Sequence, residues 1–313
     1  MRDGVILIDK PSGMSSFRTV KTVSRILGVR KAGHAGTLDP MATGLLVVCL
    51  GRATRISRFI MDGIKQYEGT MRLGSATDTY DAEGEVINTA PLPKGLDMED
   101  IRGAANEFTG RLLQAPPPFS AAKHRGVPLY KLARKGKIVK KPPKEIHVME
   151  FKVEDAGIPD VNFKITCSRG TYIRSLCHDL GQKLGCGAHM TALRRTNCGH
   201  LSIDRAVTIE QLKEAASAGM TDALVLDVSE ALSHIPAISI ENGDARRIRL
   251  GQGMACEKFM NALRSEKASE AAISARLVRL VTPGETGEEL VAVAKPPGDP
   301  VPGGMIRTEK VWI

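Results

Sequence analysis

The unbroken apolar run Leu45-Leu46-Val47-Val48-Cys49-Leu50 has the length of a buried strand, and the chain around it must be arranged to cover it. It is entered through the loop Gly33-His34-Ala35-Gly36-Thr37-Leu38-Asp39-Pro40-Met41-Ala42-Thr43-Gly44, which follows a helix-like segment ending at Gly28. A loop that feeds a core strand is held at one end. Its three glycines relax the backbone limits, while Pro40 pushes Asp39 away from αR towards an extended conformation. One carboxylate is then presented from a rigid base. Taken alone, Asp39-Pro40 also suits a plain turn opener.

At 313 residues the chain suits one large domain plus a minor one, and 42% hydrophobic content supports a folded protein. No stretch approaches the 18 or so consecutive apolar residues of a membrane span, and no signal-peptide pattern precedes the first strand. Six cysteines without Cys-x-x-Cys spacing fit reduced thiols. A cytoplasmic protein is expected.

The net charge of +9 is unevenly placed. Residues 236–313 carry 11 Lys/Arg against 10 Asp/Glu, so +8 lies in the first 235. In the run 123–147, Lys123, Arg125, Lys131, Arg134, Lys135, Lys137, Lys140, Lys141 and Lys144 face only Glu145. Charge runs are commonly solvated surface, but nine bases against one acid in a Pro-rich, loop-like stretch favour a phosphate backbone as partner.

Along the chain, Val5 to Ile8 reads as a strand ending in the turn Asp9-Lys10-Pro11-Ser12-Gly13. Ser15 or Ser16 caps a helix with apolar positions Phe17, Val20, Val23, Ile26 and Leu27, closed by Gly28. A second helix carries Ile56, Phe59, Ile60 and Ile64. Period-two alternation from Tyr67 through Leu73, a turn at Asp81-Ala82-Glu83-Gly84, a helix over 97–108, strands at 146–153 and 161–167, a helix opened by Thr171 and a strand pair over 188–203 complete the pattern. Strands joined by hairpin-length links and interrupted by helices predict an α+β fold with a mixed or antiparallel central sheet. Residues 119–147 are expected as a protruding basic arm. In the C-terminal part, a short basic helix over 243–250 precedes strands at 275–282, 290–295 and 305–313, which suggests a small barrel, with 255–274 as a helical or disordered insertion.

The loop Gly-His-Ala-Gly-Thr-Leu-Asp-Pro-Met-Ala-Thr-Gly resembles the catalytic loop of the bacterial TruB-type tRNA pseudouridine synthases. The likeness continues, in matching order, at Gly4-Val5-Ile6-Leu7-Ile8-Asp9-Lys10-Pro11-Ser12-Gly13-Met14-Ser15-Ser16, Lys65-Gln66-Tyr67, Cys167-Ser168-Arg169-Gly170-Thr171-Tyr172-Ile173-Arg174 and Gly185-Cys186-Gly187-Ala188-His189. It covers the first two thirds of the chain and thins beyond about residue 205. It implies a pseudouridine synthase domain over 1–235 that isomerises the uridine of the TΨC loop, position 55 of tRNA. Residues 236–313, with Arg-x-Leu-Gly-Gln-Gly, look like a PUA-type RNA-binding domain.

The reaction breaks the N1–C1′ bond, turns the base and rejoins it through C5, so a nucleophile must carry the intermediate. The resemblance gives that role to Asp39, with attack on the base or on the sugar left open. Arg174 matches the family's active-site arginine. A guanidinium fork suits a carboxylate that must stay ionised and aimed, and a cation in a helix's first turn opposes the helix dipole, which argues against mere decoration. The substrate base must be flipped out of its stack at a cost of a few kcal/mol. Tyr67 matches the family's stacking tyrosine, Leu193 its pocket leucine and His34 the histidine that fills space vacated in the RNA. A backbone-satisfied loop histidine is the alternative for His34, and a core tyrosine the alternative for Tyr172, which otherwise packs under the base. Arg55 stands where the family often shows Lys. Cys186-x-x-His189 with Cys198-Gly199-His200 is poorly spaced for zinc. No metal or cofactor is expected. The partner is the tRNA T arm, with no membrane, no guide RNA and a monomeric chain. A guide-RNA-dependent synthase, a non-catalytic RNA-binding or chaperone protein and an RNA hydrolase using His34 with Asp39 are the competing readings.

Overall fold

In the computed structural model, residues 3–155, 157–264, 275–284, 287–297 and 304–312 are described. The run 45–50 lies within the strand Thr43–Leu50 of a ten-stranded mixed sheet. Along its main path the order is Val225–Leu226, Gly4–Lys10, Thr43–Leu50, Ala188–Cys198, Lys65–Leu73, Asp160–Cys167, Lys144–Asp155 and Gly110–Gln114. These neighbours pair antiparallel, except that Thr43–Leu50 runs parallel to Ala188–Cys198, with Thr43 opposite Arg194 and Gly44 opposite Arg195. Gly44 has φ +94°, and a Cβ there would strike the backbone of Arg195, so only glycine lets the two strands meet.

Both faces of Thr43–Leu50 are covered, which is why its sequence shows no alternation. Leu46, Val48 and Leu50 pack with Ile6 and Ile8 against Val20 and Val23 of the helix Ser16–Ile26 and its C-cap residue Leu27. Leu45, Val47 and Cys49 join Val5, Leu7 and Phe59 on the other face. A separate core around Met71, Phe163, Val148 and Leu176 supports the far half of the sheet.

The helix Ser16–Ile26 is capped by Ser15, whose hydroxyl accepts from Arg18 N, and Gly28 follows at φ +64°. Phe17, expected on its buried face, is 69% exposed. At the second residue of the helix it falls outside the arc defined by Val20, Val23 and Leu27. Ile64 is likewise exposed, because the helix ends at Met61 and is preceded by the 3-10 turn Gly51–Arg55.

The expected arm holds a hairpin, Lys123–His124 with Val127–Pro128, turned by Arg125 (φ +49°) and Gly126 (φ +82°), and the short helix Leu129–Ala133. Residues 144–147, expected in the arm, belong to the main sheet, where Lys144 pairs with Gln114 and His147 with Arg111.

A second sheet orders Ala237–Ser239, Val278–Gly284, Gly287–Lys295 and Arg307–Val311, the first pair parallel and the others antiparallel. Among the described residues it is open. The helices Asn242–Arg249 and Cys256–Arg264 cover one face through Ile248, Phe259 and Leu263. From the opposite face Val281, Leu290 and Val293 enter the core that holds Val5 and Leu7. Of the expected insertion 255–274, Cys256–Arg264 is helical, and 265–274 lies outside the described residues.

Candidate active site

The loop before Thr43–Leu50 is tied down on two sides. The Ser16 hydroxyl accepts from Leu38 N (2.8 Å) and donates to Leu38 O (2.9 Å). Gly13 N and Lys10 Nζ donate to Pro40 O at 2.9 and 3.1 Å, and Ser12 Oγ donates to Met41 O. Lys10 is fully buried and also donates to Pro11 O and Met14 O; burial pulls its pKa down to about 8, with Asp39 opposing. From the sheet side, buried Arg195 donates to Leu45 O (2.8 Å), Gly36 O (3.0 Å) and Thr37 O (3.3 Å). Apart from the Leu38 N–H, the groups held in this way are backbone oxygens, which need partners when buried.

Asp39 is thereby presented to Arg174, 135 residues on. Arg174 Nε lies 2.9 Å from Asp39 Oδ2 and Nη2 lies 3.3 Å from Oδ1, a two-point fork. Its remaining donors reach Thr79 O (2.8 Å), Asp81 Oδ2 (3.0 Å) and Phe119 O (2.9 Å). The guanidinium is buried and fully committed, while the Asp39 side chain keeps 35% of its surface open. Burial pushes the Asp39 carboxyl above its ordinary range, Arg174 opposes this, and the Asp81 charge adds to it. Arg174 is aimed from the start of the helix Ile173–Lys183, whose cap residue Tyr172 is gripped by Gln114: Tyr172 N donates to Oε1 and Nε2 donates to Tyr172 O.

Sequence reasoning missed Asp81. It was read as part of a turn, yet it is buried, accepts from Thr79 Oγ1 (2.6 Å) and Glu83 N (3.1 Å), and backs Arg174 from the side opposite Asp39. An acid in a turn a few residues after a strand looks the same in either role. Arg195 was missed for a similar reason, since it ends the alternating part of a strand.

Tyr67 stands opposite Arg195 in the strand register, and Leu193 opposite Gly69. Tyr67 and Met41 pack on the core cluster that holds Leu38, Ala42 and Leu193, so these side chains form one apolar wall around the Asp39 loop. Burial pushes the Tyr67 hydroxyl pKa to about 12 despite the nearby Arg195. Alongside runs a cleft of about 670 Å³ lined in part by Ser12, Met41, Ala82, Glu83 and Leu193. His34 sits on the short strand Ala32–His34, opposite Val48. Its Nδ1 is buried without a hydrogen-bond partner, unlike a histidine satisfied by backbone, and burial with Arg195 lowers its pKa. Burial raises the pKa of Tyr172.

The arm meets the site at its base, where the Phe119 carbonyl accepts from Arg174. Beyond it, Lys123, Arg125, Lys131, Arg134, Lys137 and Lys140 are exposed, and Lys141 Nζ donates to Lys123 O at 2.6 Å. Arg55 ends the turn Gly51–Arg55 and is exposed. His189 Nδ1 lies 3.0 Å from Ser75 O and the Cys198 thiol points at Ile60 O. Among the described residues no three His, Cys, Asp or Glu side chains gather as a metal site requires, and no helix is long and apolar enough to cross a membrane.

Residues 24–173 match the family model described as TruB family pseudouridylate synthase, N-terminal domain, and residues 174–233 that of the tRNA pseudouridylate synthase B C-terminal domain. A tRNA pseudouridine synthase B of Geobacter sulfurreducens is 45% identical over 249 residues, covering 80% of this chain and 82% of that relative. The Syntrophotalea carbinolica protein of the same name is 39% identical over 282 residues, covering 90% and 89%. Among solved structures, a Cbf5-Nop10-Gar1 complex aligns with a TM-score of 0.74 at 28% identity, over 99% of this chain and 85% of that chain. An archaeal box H/ACA Nop10-Cbf5 complex gives 0.72 at 26%, over 99% and 86%.

Proposed function

Because the chain belongs to the TruB family of pseudouridylate synthases, we propose that it converts the T-loop uridine of tRNA, position 55, to pseudouridine, with Asp39 as the nucleophile. The observation that carries this reading is the Asp39–Arg174 fork, in which the arginine is wholly committed and the carboxylate still faces outward. In that setting the carboxylate adds to the substrate, at base or sugar, the N1–C1′ bond breaks, C5 bonds to C1′, and the carboxylate is released again. The proton lost from C5 balances the one gained at N1. No atom is added or removed overall.

Tyr67, Leu193 and Met41 are suited to receive a flipped base, because apolar contact offsets the few kcal/mol of unstacking. Tyr172 supports the floor beside Arg174, and His34 occupies the space left in the RNA. The exposed cations Lys123, Arg125, Lys131, Arg134, Lys137 and Lys140, with Lys141 and Arg55, bind phosphates. Residues 1–235 act as the catalytic part and 236–313 as an accessory PUA-like RNA-binding part. The basic helix Asn242–Arg249, followed by Gly251 and Gly253, supports that assignment. The protein is read as a cytoplasmic monomer that needs no guide RNA.

Purified protein and a single tRNA transcript, scored for pseudouridine and for base loss, test this directly. Product without added RNA guide is the expected result. Base loss instead would mean hydrolysis, product only with a guide would mean the box H/ACA mode, and binding without product would mean a non-catalytic RNA-binding role.

A further inference from the structure

The exposed Phe17 has company. Residues 10–38 contain Lys10, Arg18, Lys21, Arg25, Arg30 and Lys31 and no acid. Lys10 is buried, but the other five are exposed, and none pairs with a carboxylate among the described residues. Arg18, Lys21 and Arg25 fall at i, i+3 and i+7 of the helix Ser16–Ile26, hence on one stripe. Phe17 borders it, with Lys21 Nζ 5.7 Å from the ring centre. It is the only aromatic among the large exposed apolar side chains of the described residues. Arg25 in the last turn complements the helix dipole, but folding gives no reason for the rest of the pattern. Arg18 opposes the helix dipole in the first turn, and Lys21 and Arg25 repel each other at i, i+4.

The stripe also has a fixed place. Ser16, next to Phe17, makes both hydrogen bonds to Leu38, which precedes Asp39. Phe17 therefore follows directly on the residue that holds the Asp39 loop in place. An exposed aromatic ring interleaved with cations that no carboxylate pairs is the arrangement that holds single-stranded nucleic acid, with bases stacked on the ring and phosphates on the cations. Resting on the functional reading above, we infer that Phe17, Arg18, Lys21 and Arg25 form a second RNA-binding surface, which stacks an unpaired nucleotide of the tRNA near the target uridine and grips the adjoining phosphates.

The test is equilibrium binding of tRNA across a salt series, made in Asp39→Asn protein so that substrate is not consumed. Phe17→Ala is expected to weaken binding roughly tenfold, while Phe17→Trp keeps the stacking face and stays close to the parent. Replacing Arg18, Lys21 and Arg25 together by Gln lowers the salt slope by up to about 2. All four positions are exposed, so the variants fold. Unchanged affinity for Phe17→Ala, or an unchanged slope for the triple variant, overturns the surface as proposed. Pseudouridine formation by the wild-type chain, scored in parallel, decides the functional reading independently.

Discussion

The cations around the Asp39 loop and those of the arm carry the same charge and live by opposite rules. Inside, Arg174 meets three carbonyl or carboxylate groups besides Asp39, Arg195 meets three carbonyls and Lys10 three more. On the arm, Lys131, Lys137 and Lys140 are exposed and pair with no carboxylate among the described residues. A buried cation without oxygens costs too much to keep, so each interior one is held in a single geometry. An exposed cation needs no partner. Its contribution is a salt-sensitive attraction that tolerates imprecise placement. The interior group accordingly sets positions, and on the proposed reading the arm sets affinity for RNA.

Five variants test this contrast. The largest effect belongs to the site. Asp39→Asn should retain fold and tRNA binding but lower single-turnover pseudouridine formation below about a thousandth of wild type, because the amide keeps the shape and loses the nucleophile. Arg174→Lys should cost about a hundredfold or more in the same assay, since a point charge cannot span Asp39 and Asp81 together. Near-normal turnover by either variant would dissolve the site as drawn.

Arg195→Met is expected to act on stability before activity. It strands three buried carbonyls at about 1 kcal/mol or more each, so urea unfolding should lose about 3 kcal/mol. An unchanged midpoint would mean the loop does not depend on it.

Neutralising Lys137, Lys140 and Lys141 together should leave the unfolding midpoint within about 0.5 kcal/mol of wild type. The same variant should flatten the salt dependence of tRNA binding by up to about 0.9 per lost phosphate contact. A drop in stability with no change of slope would reverse the roles assigned to the two groups.

The smallest effect concerns pH. Asp39 must be ionised to act, and its folded pKa is raised, so turnover falls as pH drops through that raised value. The Asp81 charge contributes to the rise. Asp81→Asn should therefore move the acid limb of the rate profile to lower pH, whatever it does to the plateau. A limb that stays in place would show that Asp39 does not feel Asp81.

Much of this was readable before any coordinates. The strand at 43–50 follows from six apolar residues in a row, the Ser15 cap and the Gly28 terminus from local backbone chemistry, and Asp39 and Arg174 from motifs of a known family. Phe17 was misplaced because helical spacing alone cannot say where a buried arc stops: Ser16 and Thr19 of the same turn are buried, while Phe17 falls just outside the arc of Val20, Val23 and Leu27. The arm was drawn over 119–147, overlapping the strand read at 146–153, and pairing with Gly110–Gln114 starts that strand already at Lys144.

What the sequence determined by itself is short-range: which segments are helix or strand, where they are capped, and which residue types stand in the family's motifs. Those depend on neighbours within a few positions, where periodicity and backbone limits act. Tertiary structure alone decided that Arg174 grips Asp39 and Asp81 at once, that Gly44 permits a parallel contact with Arg195, and that Val281, Leu290 and Val293 share a core with Val5 and Leu7. Each of these joins residues far apart in the chain, and such contacts are chosen by sheet register and by the demand that every buried polar group find a partner.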